Sequence, residues 1–235
     1  MNPSSNRDWL AVNLPVVPYR EALALQHRLL AARIADPALP DLVLVLEHAP
    51  VYTLGRRGGA ENIMVPRARL EKHGITVVQT ERGGFITYHG PGQLIAYPIV
   101  DINARRLGIA DFVTALETSM IATAARWGIA AVRRPENRGV WVGHRKLGSI
   151  GIAVRRGVVF HGLALNITTD LTPFTWINPC GLENVAMTSL SAEGATDVAM
   201  PATRSAMIEA LSAAFGTPIR EIDTMAFEQF VAGLP

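Results

Sequence analysis

The chain has 235 residues, 49% hydrophobic and 18% charged, with one cysteine, six histidines and a formal net charge of +2. That apolar share excludes disorder, and the length suits one generous domain read as a single unit over 1–235. No run approaches 18 consecutive apolar residues and Met1–Arg7 lacks an apolar signal core, so neither a membrane span nor export is expected, and a cytoplasmic location is. A lone cysteine, Cys180, excludes an internal disulfide and a multi-cysteine metal site. The basic residues are twenty arginines against two lysines, Lys72 and Lys146. An amine can lose its proton near neutrality where a guanidinium cannot, which draws attention to the lysines.

In chain order, Tyr19–Ala35 reads as an amphipathic helix stopped by Asp36-Pro37. The run Leu42–Leu46 is short and rich in β-formers, as in a buried strand, and a loop around a short extended segment follows it. Pro66–His73 reads as a short helix capped by Gly74. Strands are expected over Ile75–Thr80, Phe85–His89, Leu94–Ile102, Gly139–Val142, Lys146–Val154 and Val158–Ile167. Between them Ala110–Trp127 is a helix with Val113, Leu116, Met120, Ala124 and Trp127 on one stripe. Ala202–Phe215 and Met225–Val231 form a helical or mixed tail. Helices before, within and after largely sequential strands argue for an α+β fold, a mixed β-sheet with packed helices.

Three stretches carry chemistry. The first is Arg82-Gly-Gly-Phe-Ile-Thr-Tyr-His-Gly-Pro-Gly-Gln93, whose paired glycines allow a ligand close to the backbone. Strand alternation there puts Thr87 and His89 on one face and Tyr88 on the other. The second is Gly143-His-Arg-Lys146-Leu-Gly-Ser-Ile-Gly151, a polar turn leading into an apolar strand. The third, Asn178-Pro-Cys180-Gly181, places the thiol in a turn, where it is either a nucleophile or a bystander. Neither nucleotide-phosphate fingerprint is present. The histidines lack metal-ligand spacing, and the arginine pairs lack the interleaved aromatics of a nucleic-acid groove. No metal, nucleic acid or membrane partner is expected.

Together these stretches resemble one family. Arg82-Gly-Gly-x-x-Thr-Tyr-His-x-x-Gly-Gln-x-x-x-Tyr97 is similar to the signature of the lipoyl(octanoyl) transferases. Glu47-His48-x-Pro50-Val-x-Thr53-x-Gly55 precedes it; Lys146-Leu-Gly-Ser-Ile-Gly, Phe160-His-Gly-Leu-Ala-Leu-Asn166 and Asn178-Pro-Cys-Gly181 follow in the family's order. Ala49 stands where the family often has a second proline. The likeness spans about residues 19–190, and the tail over about 195–235 stands outside it as an extension.

The resemblance implies the fold of biotin and lipoate protein ligase catalytic domains. It implies transfer of an octanoyl group from octanoyl-acyl carrier protein to the lysine ε-amine of lipoyl domains, in 2-oxoacid dehydrogenase complexes and the glycine cleavage H protein, with no cofactor. Cys180 stands as acyl-accepting nucleophile and Lys146 as its partner. Arg82, Gly83, Gly84, Phe85, Ile86, Thr87, Tyr88 and His89, with Ser149, Ile150, Gly151, Gly162, Leu163 and Ala164, stand as substrate-binding walls. A free thiol is only a few per cent thiolate at neutral pH, and a free amine is almost wholly protonated. Brought together with little water, each corrects the other, and the two titrate as a pair. An ATP-dependent ligase of the same fold and a non-catalytic lipoyl-domain or carrier binder remain open alternatives.

Overall fold

The computed structural model describes residues 8–135, 137–178 and 185–234. Its elements are β1 (Trp9–Val17), α1 (Tyr19–Ala35), β2 (Leu42–His48), β3 (Val51–Leu54), α2 (Arg67–Lys72), β4 (Thr76–Gln79), β5 (Thr87–His89), β6 (Gln93–Asp101) and α3 (Ile109–Ala125). They continue with β7 (Val132–Arg133), β8 (Val140–Val142), β9 (Arg145–Arg155), β10 (Val158–Asn166), α4 (Met200–Phe215), β11 (Ile219–Ile222) and α5 (Thr224–Ala232).

The unbroken apolar run of β2 marks a strand covered on both faces. Its alternate residues divide accordingly: Leu42, Leu44 and Leu46 pack with Leu29 and Leu30 of α1, while Val43 and Val45 pack with Phe112, Leu116 and Met120 of α3. β2 lies inside a mixed sheet ordered β11-β1-β2-β6-β10-β9-β8-β7, parallel among β11, β1 and β2 and antiparallel from β2 onward. A smaller sheet, β4-β3-β5, carries the glycine-rich stretch. Among the described residues, no helix is long and apolar enough to cross a membrane. The architecture is the expected α+β one, a mixed sheet between helices.

Three strands, β1, β7 and β11, lie where the sequence reading has none. In β1, Asn13 and Pro15 interrupt the alternation, and the β1–β2 register shifts between Asn13 and Val16. In β11 the short Ile-Arg-Glu-Ile becomes a strand because β1 offers a free edge for parallel pairing, with Asn13 Nδ2 donating to Glu221 Oε2 at 2.8 Å. Phe85 and Ile86, expected to begin β5, stand outside it, and the Phe85 carbonyl accepts instead from the Gly55 amide. The stretch read as an extension contributes to both cores: Met207 and Leu211 of α4 join the α3-side core, and Phe227 of α5 joins the α1-side core. Phe227→Ala is therefore expected to lower the unfolding free energy by about 3 kcal/mol, read from urea denaturation; an unchanged midpoint would show that α5 is an appendage.

Candidate active site

The site begins at an interruption in the main sheet. Pro98 sits inside β6, where it has no N–H to offer β10. The β6–β10 pairing runs from Val158 to Val159 and resumes only at Leu163. In the gap His161 takes φ +58°, and its ring stacks at 4.8 Å on Phe160 of the α1-side core. Two successive side chains on one face are impossible in a regular strand; the left-handed backbone permits it. Gly162 follows because a Cβ there would lie 2.1 Å from the Ala96 carbonyl oxygen. The His161 amide, without a strand partner here, donates to Gln26 Oε1 of α1 at 2.8 Å.

The glycine-rich stretch spans the two sheets. Gly83 N–H donates to Ile152 O of β9 at 2.9 Å, while Gly84 O accepts from the Arg57 amide at 3.1 Å. The Gly55 amide donates to Phe85 O at 3.2 Å. Arg82 turns inward, buried, with its guanidinium donating to Thr53 O at 2.6 Å, Thr53 Oγ1 at 2.7 Å and Gly83 O at 3.1 Å.

Around Arg82 lies a cluster of neutral polar rings. His48 donates through Nδ1 to Val17 O at 2.7 Å and accepts at Nε2 from Tyr97 OH at 2.8 Å. Burial lowers its pKa to about 4, against the raising effect of the Val17 carbonyl. His89, fully buried, is held well below the ordinary histidine range by desolvation, reinforced by His48 and Arg82. Burial also takes His161 down to about 4, although the Glu81 carboxylate pulls the other way. Desolvation raises the phenols of Tyr19, to about 12, and Tyr97. All five rings are uncharged near neutral pH. His89 donates to Gln93 Oε1 at 2.7 Å, Gln93 donates to Asn166 Oδ1 at 2.8 Å, and Asn166 donates to Thr188 O at 2.8 Å.

That chain ends beside Lys146. Thr188 N–H donates to Lys146 O at 2.9 Å, and Lys146 N–H donates to Ala186 O at 2.8 Å. Lys146 is the second residue of β9, half-buried, with its Nζ 3.0 Å from Asn137 Oδ1 and 5.2 Å from the centre of the Trp141 ring.

A cavity of about 600 Å³ joins these parts. Lys146, Arg82, Gly83, Gly84, Phe85, Ile86, Thr87, His89, Ser149, Ile150, Gly151, Gly162, Leu163 and Ala164 all line it, so segments distant in sequence form one surface. Tyr88 is the correction: it lies on the opposite face of β5, its ring against Tyr52 at 5.8 Å and Phe174 at 5.4 Å. Strand alternation requires this once Thr87 and His89 face the cavity. Cys180 lies outside the described residues; Val185 and Met187, after it in the chain, line the cavity. Sequence reasoning missed His161, Val113, Asn137 and Arg138 as lining residues. His161 and Val113 were within reach, one inside a motif block and the other on the α3 stripe; Asn137 and Arg138 left no signal.

Residues 18–212 match the family described as the lipoyl protein ligase A/B catalytic domain. With its sheet, helices and cavity in place, the chain belongs to that family. Within it, relatives named Octanoyltransferase make the chain an acyltransferase. One from Desulfotalea psychrophila is 45% identical over 207 residues, covering 87% of this chain and 93% of its own. Another, from Syntrophobacter fumaroxidans, is 48% identical over 185 residues, covering 79% and 81%. A solved lipoate-protein ligase A bound with ATP aligns with TM-score 0.74 at 17% identity, covering 96% of this chain and 93% of that one. Biotin protein ligase from Leishmania major in complex with biotin aligns with TM-score 0.53 at 12% identity over 92% and 73%. These two likenesses speak for the fold alone.

The buried neutral histidines give stability a defined pH dependence. His48 binds its proton near pH 6.5 when unfolded but only near 4 when folded. Between those values the unfolded chain binds more protons, so stability is lost as pH falls. His48→Gln is expected to flatten this decline by about 1.4 kcal/mol per pH unit, measured by urea unfolding between about pH 7 and 4.5; parallel curves would refute it.

Proposed function

We propose that this chain moves an octanoyl group from octanoyl-acyl carrier protein to the ε-amine of a lysine on a lipoyl domain, through a thioester on Cys180. The observation that carries this reading is the single cavity on which Lys146 and the Arg82–His89 stretch meet. Its amine end suits proton transfer, and its walls of Ile150, Leu163 and Ala164 suit an alkyl chain. Each buried CH₂ contributes about 0.8 kcal/mol to holding that chain.

In the first step the Cys180 thiolate attacks the carrier thioester carbonyl. A new C–S bond forms, the carrier's C–S bond breaks, and the departing carrier thiolate takes a proton from the Lys146 ammonium. In the second, the acceptor amine attacks the acyl-enzyme. A C–N bond forms, the C–S bond to Cys180 breaks, and the proton lost from the amine returns to Lys146. One thioester is exchanged for another before amide formation, so the sequence needs no ATP. His89 is a poor base for either step, since burial holds its pKa so low; its bond to Gln93 suits it to shaping the wall.

Mixing the protein with octanoyl-acyl carrier protein, without ATP, is expected to add one octanoyl mass to Cys180 by peptide mass spectrometry. No adduct, together with turnover that requires ATP and free acid, would overturn the reading in favour of a ligase. Lys146→Ala is expected to lower kcat by about 10²-fold or more. Lys146→Arg keeps the charge but cannot shuttle a proton near neutrality, and is expected to fail similarly.

A further inference from the structure

Three separate features converge on the side chain of Lys146. Its Nζ donates to Asn137 Oδ1 at 3.0 Å. Gly139, with φ +117°, brings its backbone so close that a Cβ there would lie 2.9 Å from Lys146 Cε and 2.4 Å from Gly148 O. The third feature is Glu117 of α3, only 1% exposed, which accepts from the Gly139 amide at 2.9 Å and from Arg138 at 3.2 Å. Arg133 Nε lies 3.4 Å from the same carboxylate. A buried carboxylate thus fixes a short piece of chain whose backbone walls the lysine stem and whose next side chain but one holds the amine.

We propose that residues 137–139, anchored on Glu117, position the Lys146 amine, with Asn137 as a deliberately neutral acceptor. The inference rests on the reading of Lys146 as the proton carrier beside Cys180. An amide oxygen directs the amine without placing a negative charge of its own beside it. A carboxylate in the same place would bind the ammonium for itself and raise its proton affinity. The negative charge that the brace requires is kept on Glu117, where the guanidiniums of Arg133 and Arg138 and one amide take it up. Arg82 and the neutral His89 and His161 also line the cavity, and Arg145, adjoining on β9, is engaged by Glu193. Asn137 is thus a positioning residue.

The test reads the thiol directly. Cys180 is the sole cysteine, so its alkylation by iodoacetamide across pH gives the apparent titration of the thiol–amine pair in the full chain, without substrate. Lys146→Met should raise that midpoint; if it does not, the reading of Lys146 falls and the positioning role falls with it. Where Lys146→Met does raise it, Asn137→Asp is expected to raise the midpoint by about one pH unit and lower kcat about tenfold with KM little changed. Asn137→Ala should lower kcat without that upward displacement. Glu117→Gln, which keeps an oxygen for the Gly139 amide, should retain more activity than Glu117→Leu. An unaltered alkylation profile and unaltered kcat in both Asn137 variants would overturn the proposal while leaving the reading of Lys146 intact.

Discussion

A proline in the interior of a buried strand is the constraint on which the site depends. Pro98 gives β6 one amide too few, and the ladder to β10 opens across three residues. On its other side β10 keeps an uninterrupted register with β9, from Val158 opposite Arg155 to Leu165 opposite Gly148. The strand is held by one neighbour exactly where the other releases it, so the left-handed turn at His161 occurs without loss of the sheet. The same β9 register carries the chain from Ile152, opposite His161, back to Lys146. One strand pair therefore sets the span between the two chemically distinct ends of the cavity.

Those ends differ in how charge is managed. Around His89, His161 and Tyr97 burial removes charge: His89 and Tyr97 exchange solvent for hydrogen bonds, while among the described residues neither buried ring nitrogen of His161 has a hydrogen-bond partner. At the Lys146 end an uncharged amide, that of Asn137, accepts from the amine. Between them Ile150 and Leu163, directly paired across β9 and β10, supply apolar surface. An extended alkyl group is suited to that middle, and an ionic one is not.

Much of this was legible in the sequence, for reasons that differ between elements. The periodicity of Tyr19–Ala35 gave α1 its bounds, and the run Leu42–Leu46 announced a buried strand. Alternation alone separated Tyr88 from Thr87 and His89. β1 and β11 were not legible because β11 pairs only with β1, across some two hundred residues of chain, and β1 otherwise leans on β2, a separate strand beyond α1. Within the site, the parts carried by contiguous motif residues were readable. Asn137 was not, since its place depends on Glu117, which in a helix sequence looks like any solvent-facing glutamate and is instead buried. Likewise, nothing local in β6 says that Pro98 lies opposite the residue that must turn.

The bond from the His161 amide to Gln26 has a further consequence. At that one position a helix side chain stands in for a neighbouring strand. The amide is therefore sheltered by the docking of α1, although it belongs to the middle of the sheet. Its exchange with solvent deuterium follows the undocking of that helix, whereas the amides at Val159 and Leu163 follow the opening of β6 from β10. Two adjacent stretches of one strand are thus expected to answer to different opening events, one set by the docking of a helix and one by the pairing of strands.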